Sequence, residues 1–195
     1  MKIKRKIRNL LSTALIVAMM GSMLTGCSSG STAEASSVLN FGCTYFSESL
    51  DPSAMPNAAW SVSRYGIGEA LFRFDDQMDA DYYLCDDYSV NDDHTEWTFH
   101  IRDGVKFSNG KELTASAVVK SIEYMYEKEK SGEGSSTPSV YMTYDSITAD
   151  DEARTVTIKT DKSYADLTKT LSHPYFVILD MESDLANKPV GTGPY

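Results

Sequence analysis

Apolar and polar side chains alternate most regularly over residues 97–101, where Trp97, Phe99 and Ile101 are separated by polar residues. A period of two is typical of a β-strand with one buried face, so Trp97 is expected in the core. Two further segments are rich in β-branched residues. The strands predicted from these patterns are residues 97–101, 146–148 and 155–160.

Residues 114–130 show a helical period instead. Apolar side chains at positions i, i+4, i+7 and i+8 share one face of a helix, and here they are Val118, Ile122, Met125 and Tyr126. Thr114 precedes them as a favourable N-cap. An amphipathic helix that starts near Thr114 is therefore predicted.

The other segments are less regular. Residues 58–72 favour a helix that runs into an extended piece, and Pro52 and Pro56 predict an irregular loop before it. The Ser- and Gly-rich residues 131–139 predict a flexible loop. The remaining predicted elements are an acidic turn at 75–81, a short helix at 163–172, and strands at 38–45 and 175–180. This mixture of hairpins and helices favours an α/β fold with a mixed sheet.

The first residues have the composition of a targeting signal. Residues 1–9 are basic, and residues 10–24 are uncharged and apolar. That run is shorter than the roughly 20 residues of a membrane-spanning helix, but it suits the apolar core of a secretory signal peptide. The sequence Leu-Thr-Gly-Cys that ends at Cys27 is similar to the lipobox of bacterial lipoproteins.

This pattern predicts a signal peptide at residues 1–26, a lipid on the thiol of Cys27 and a Ser-rich tether over residues 27–37. The protein would then lie on the extracytoplasmic side of the cell membrane, held there by the lipid. An ordinary signal peptide followed by a chance cysteine is the alternative.

The net charge of the chain argues against nucleic acid as a partner. The chain has 195 residues and a formal net charge of −10. Removing the five basic residues of the first 26 leaves 13 basic residues against 28 acidic ones, a net charge of −15. A surface this acidic repels phosphate backbones, so no nucleic-acid partner is expected.

Signatures of catalysis are absent from the sequence. There is no Gly-x-Ser-x-Gly or His-Glu-x-x-His motif. Paired acids such as Asp150 and Asp151 fall in predicted turns, where solvated side chains are favoured. No enzymatic activity, metal site or cofactor is therefore expected. Cys43 and Cys85 fit no zinc pattern, and they are open to two interpretations, a disulfide or two buried thiols.

Twelve tyrosines and two tryptophans favour a binding protein, because aromatic side chains offer stiff contact area to small molecules and peptides. Trp60 follows the proline-rich loop and is expected to be exposed.

Several stretches, in order, resemble the family 5 extracellular solute-binding proteins of ABC importers. The central one, residues 97–123, follows the family signature almost residue for residue, with Ser116-Ala117 in place of the usual Glu-Asp. The other matching stretches are residues 49–52, 69–75, 155–160 and 189–195.

The resemblance implies a two-lobed clamshell of the class II periplasmic-binding-protein type. Residues 38–195 would form the N-terminal part of the solute-binding domain, supplying most of the first lobe. The second lobe would be missing, and the chain would be a fragment, unstable or prone to aggregate when isolated.

The resemblance also implies where ligand binds. The matching positions are the loop after the first strand, with Met55, Trp60 and Ser61, and the segment with His173 and Tyr175. In the nickel-binding member an arginine that holds a chelator carboxylate aligns with His173. The implied function is the capture of peptides for delivery to ABC permease subunits. The alternatives are a nickel complex as ligand, or a lipid-anchored extracytoplasmic hydrolase.

Overall fold

Antiparallel pairing of four strands builds the main sheet. The structure, a computed structural model, describes Gly42 and residues 48–195. The order in the main sheet is β3-β4-β6-β5, and a separate hairpin pairs β1 with β2. The strands are β1 (Phe72–Phe74), β2 (Ala80–Tyr82), β3 (Cys85–Val90), β4 (Glu96–Ile101), β5 (Tyr144–Asp150) and β6 (Thr155–Thr160). The presence of helices beside these strands confirms the predicted α/β fold. Every pair of the strands is antiparallel, so the described strands do not form the mixed sheet that the sequence predicted.

β4 lies inside the sheet and carries its core. Trp97, Phe99 and Ile101 are buried while the residues between them are not, as the alternation predicts. Trp97 lies opposite Ile158 of β6, and Phe99 lies opposite Val156. Burial of one face therefore fixes the register of these strands, because a slip of one residue would expose all of these side chains.

The long helix α2 (Ala115–Ser131) packs against β5 and β6. It begins where predicted, since the Thr114 side chain accepts a hydrogen bond of 3.1 Å from the Ala117 N–H. Asp151, from the β5–β6 turn, accepts a second bond of 2.7 Å from the Ser116 N–H. An acid that was predicted to be merely solvated thus caps a helix, where the exposed N–H groups favour negative charge.

Two predicted elements differ from the structure. Helix α1 (Pro56–Arg64) begins inside the predicted loop, because proline is well tolerated in the first turn of a helix. The predicted strand at 175–180 is a 3₁₀ helix (Pro174–Phe176) followed by single bridges at Ile178 and Leu179. The short helix predicted at 163–172 is confirmed as α3 (Leu167–Thr170).

The segment predicted to be a flexible loop, residues 131–139, is held in place instead. Ser136 is buried and donates a hydrogen bond of 2.8 Å to the carbonyl of Pro52. The Ser135 N–H donates to the carbonyl of Ser53. A 3₁₀ helix, Pro138–Val140, closes the segment. These contacts tie residues 131–139 to the loop that precedes α1.

Glycines let two distant segments cross in direct backbone contact. The Gly193 N–H donates a 2.9 Å hydrogen bond to the carbonyl of Ile67. A Cβ atom on Gly191 would lie 2.0 Å from that carbonyl oxygen, and one on Gly193 would lie 2.1 Å from the oxygen of Gly66. Only residues without a side chain permit this crossing, which explains the glycines that flank Thr192.

Cys85 is a free, buried thiol that donates to the carbonyl of Asp87 at 3.1 Å. Burial raises its pKa to about 12, because the thiolate would lose its hydration. Cys43, Cys27, the predicted signal peptide and all of the predicted first strand except Gly42 lie outside the described residues. In the part of the chain that the structure describes, no helix is both long and apolar enough to cross a bilayer.

Candidate functional site

Three of the predicted ligand residues, Trp60, His173 and Tyr175, come together at one surface. α1 presents Trp60, and the turn before the second 3₁₀ helix presents His173. A fourth aromatic side chain, Tyr141, which the sequence did not indicate, joins them from the end of the first 3₁₀ helix. We call this set of four residues the aromatic wall.

His173 lies at the centre of the aromatic wall. Its ring stacks on Tyr141 with centroids 4.1 Å apart and planes 28° apart. Trp60 and Tyr175 form T-shaped contacts with the His173 ring, with ring centroids 5.4 Å and 4.7 Å away from its own. Trp60 is 37% exposed and Tyr141 42% exposed, whereas Tyr175 is only 7% exposed. The wall therefore presents aromatic surface to solvent on a buried base.

The hydrogen bonds of His173 define its chemistry. Its Nδ1 accepts a bond of 3.2 Å from the Tyr175 N–H. Burial lowers the pKa of His173 below its ordinary value of 6.5, because the charged ring would lose hydration. The ring is thus neutral at pH 7, and since Nδ1 accepts, Nε2 carries the hydrogen. His173 therefore offers a hydrogen-bond donor through Nε2.

Met55 and Ser61 are placed differently from the wall residues. Met55 is the N-cap of α1, and its carbonyl accepts from the Ala58 N–H at 2.9 Å. Ser61 is buried, and its hydroxyl donates to the carbonyl of Asn57 at 3.0 Å. The hydroxyl of Ser61 is thus engaged within its own helix.

Hydrogen bonds from α2 hold two segments next to the aromatic wall in position, the loop before α1 and residues 177–179. Asp51 accepts a 2.7 Å hydrogen bond from the hydroxyl of Tyr124 on α2, which fixes the loop before α1. Ser121, also on α2, donates to the carbonyl of Val177 and accepts from the Leu179 N–H, both at 3.1 Å. The aromatic wall is therefore carried by segments that are bonded to the same helix.

The described residues do not include a cluster of three or more histidine, cysteine or acidic side chains able to hold a metal ion. The chemistry that the wall offers is stacking on aromatic faces and donation of a hydrogen bond from His173.

Comparison with known proteins defines the class. The family described as bacterial extracellular solute-binding proteins, family 5 Middle, matches residues 81–195. The chain belongs to this family, whose members are binding proteins of transport systems rather than enzymes, in agreement with the sequence prediction.

The chain is similar to a nickel-binding member of this family. The nickel-binding protein NikA of Staphylococcus aureus is 34% identical over 134 residues, which cover 68% of this chain and 26% of that protein. Its structure in complex with Ni(L-His)2 matches with a TM-score of 0.59 and 32% identity, over 74% of this chain and 27% of that one.

Two further proteins are similar over comparable lengths. The nickel ABC transporter structure from Bacillus halodurans matches with a TM-score of 0.64 and 32% identity, over 75% of this chain and 29% of that one. The glutathione-binding protein GsiB of Salmonella typhimurium is 27% identical over 154 residues, 75% of this chain and 29% of that protein. The chain thus spans between a quarter and a third of the length of these relatives.

Proposed function

We propose that this protein is the extracytoplasmic solute-binding subunit of an ABC importer, and that it delivers its ligand to permease subunits. Membership of the solute-binding family supports the role. The aromatic wall supports the position of the site, because exposed rings on a firmly anchored base offer contact area at low entropic cost. Residues 48–195 would form one side of a cleft that closes on the solute.

The single observation that carries the proposal is the geometry of His173. It is stacked on Tyr141, it is neutral, and its Nε2–H is a hydrogen-bond donor set in an apolar surface. Ligand sites of this kind combine apolar walls with a few fixed polar groups. A carboxylate or carbonyl oxygen of the solute is the natural acceptor for the Nε2–H of His173.

A nickel chelate with amino-acid ligands is the first candidate for the solute. The proteins named above that exceed 30% identity are described as nickel-binding or nickel-transporting, and one was crystallised with Ni(L-His)2. Two histidines can fill the coordination sphere of a nickel ion, so a protein that binds such a chelate has only to contact its outer surface. Stacking of aromatic rings on the imidazole rings of the chelate and donation to a carboxylate match what the wall offers.

A peptide is the second candidate, and it is the ligand that the sequence first suggested. The glutathione-binding relative is 27% identical over 154 residues, which favours a small peptide. A peptide also carries a terminal carboxylate, so the His173 donor would suit it equally.

Calorimetric titration of the full-length protein tests both candidates, with Ni(L-His)2, glutathione and trialanine as probes and the His173→Phe variant as comparison. We expect saturable binding of at least one probe by the natural sequence. We also expect a loss of about 10- to 100-fold in the variant, since one hydrogen bond to a charged group is removed while an aromatic ring remains. Failure of the natural sequence to bind any of the three would contradict the proposal, and unchanged affinity in the variant would remove His173 from the site.

We further propose that a lipid on Cys27 anchors the protein to the outer face of the membrane. The register of the basic segment, the apolar segment and the Leu-Thr-Gly-Cys box supports it. In a bacterial host fed with labelled palmitate, the natural sequence is expected to incorporate the label and the Cys27→Ser variant is expected to lose it. Equal labelling of the two proteins would exclude this anchor.

A further inference from the structure

Arg64 lies beside the aromatic wall and is not among the predicted ligand residues. It is the last residue of α1, one turn after Trp60, so the two side chains share a face of the helix. Its guanidinium carbon lies 5.2 Å from the centre of the Trp60 ring. A cation over an indole face is attracted to it, which holds the side chain next to the wall.

The guanidinium of Arg64 differs in its partners from those of the other arginines that the structure describes. Arg64 is exposed, and it makes neither an ion pair nor a side-chain hydrogen bond with any residue that the structure describes. Arg73 and Arg154 form ion pairs of 3.0 and 2.9 Å, and Arg102 donates to the carbonyl of Tyr83 at 2.9 Å. In so acidic a chain, an arginine whose donors remain available stands apart.

In the part of the chain that the structure describes, no acidic side chain forms an ion pair with Arg64. None of the four residues of the aromatic wall carries a carboxylate. The planar guanidinium therefore keeps its paired donors, whose geometry matches the two oxygens of a carboxylate.

We infer that Arg64 is a specificity-determining residue of the ligand site, where it binds a carboxylate of the solute and selects solutes that carry a free carboxylate over those whose carboxylate is amidated. The inference rests on the proposed function. Arg64 and His173 both contact the ring of Trp60, so a solute bound at that ring would lie next to two hydrogen-bond donors. The substrate class is thus a carboxylate-bearing small molecule, either a peptide or an amino-acid chelate.

The test compares each carboxylate probe with its amide in the full-length protein. The probes are Ni(L-His)2 against the nickel complex of histidinamide, and trialanine against trialanine amide, both measured by calorimetry. We expect the Arg64→Met variant to lose on the order of 10- to 100-fold in affinity for the carboxylate form, the range for hydrogen bonds to charged groups. The amide should lose little, and Arg64→Lys should recover part of the loss because it restores the charge.

Arg73→Met is the matched control, since Arg73 is also exposed and also lies over an aromatic ring, that of Tyr83, at 5.0 Å. It should leave both affinities unchanged. Equal losses for acid and amide in Arg64→Met would overturn the inference and leave the proposed function standing, because a merely structural arginine would not distinguish the two. A natural sequence that binds none of the probes would overturn both.

Discussion

Replacing Gly191 with alanine is expected to lower the free energy of unfolding by about 3 kcal/mol, at the upper end of the cost of overpacking. The added Cβ would lie 2.0 Å from the carbonyl oxygen of Ile67 and 2.7 Å from its carbon. Both atoms belong to the backbone, so no side chain can rotate away, and the two segments must separate. The Ser108 N–H, which donates to the Gly191 carbonyl at 2.8 Å, would be displaced with them.

Thermal unfolding followed by circular dichroism measures this effect, with an expected decrease in melting temperature of about 6–12 °C. Gly42→Ala is the control, because a Cβ at Gly42 meets nothing within 4 Å. The control should unfold at nearly the natural temperature. If Gly191→Ala melted together with the control, the close approach of the two segments would be wrong.

Loss of the Arg154 guanidinium is expected to cost a similar amount, about 3 kcal/mol, which is the usual penalty for leaving the partners of a largely buried charge unpaired. The side chain is 16% exposed. It donates to the carbonyls of Ile101, Arg102 and Leu113 at 2.9–3.1 Å and forms ion pairs with Asp103 and Glu112. One guanidinium thus joins the end of β4, the segment before α2 and the β5–β6 turn.

The variants Arg154→Met and Arg154→Lys separate packing from hydrogen bonding. Methionine keeps the apolar stem, and lysine keeps the charge but not the fork of donors, so both should be destabilised in urea titrations. Arg73→Met is again the control. Its ion pair with Asp81 is about half exposed, and such pairs contribute about 0–1 kcal/mol. A lysine variant as stable as the natural protein would show that the paired N–H donors of the Arg154 guanidinium do not contribute to stability.

The sequence predicted best those elements whose burial follows a simple period. β4 and α2 bury one face each, so alternation and helical spacing identified Trp97 and Val118 correctly. β3 was missed because it is an edge strand, with only Cys85 buried and the other five residues exposed. The prediction of a strand at 175–180 was wrong because residues 175–179 form an uninterrupted apolar run. All of them are buried, so the run has no period that would distinguish a strand from another buried segment.

The candidate site was predictable only through resemblance. The family pattern indicated Trp60, His173 and Tyr175, and the structure brings these three together. Tyr141 and Arg64 were not predicted as ligand residues, because neither belongs to a motif. Tyr141 reaches the wall from a Ser-rich segment whose order depends on contacts of Ser136 with a loop some 80 residues earlier. Local sequence does not encode such contacts.

The glycine crossing also has a consequence for the order in which the chain gains structure. Ile67 and Gly193, joined by a backbone hydrogen bond, stand 126 positions apart. Closing a flexible loop of that length costs on the order of 4 kcal/mol of chain entropy by the logarithmic law, far more than a hairpin turn does. The sheet and α2 fall between the two segments and shorten the effective loop once they have formed. The crossing therefore becomes favourable only after the sheet and α2 have folded. Whether it forms depends on the folding of all of residues 66–193, and not only on the residues next to it.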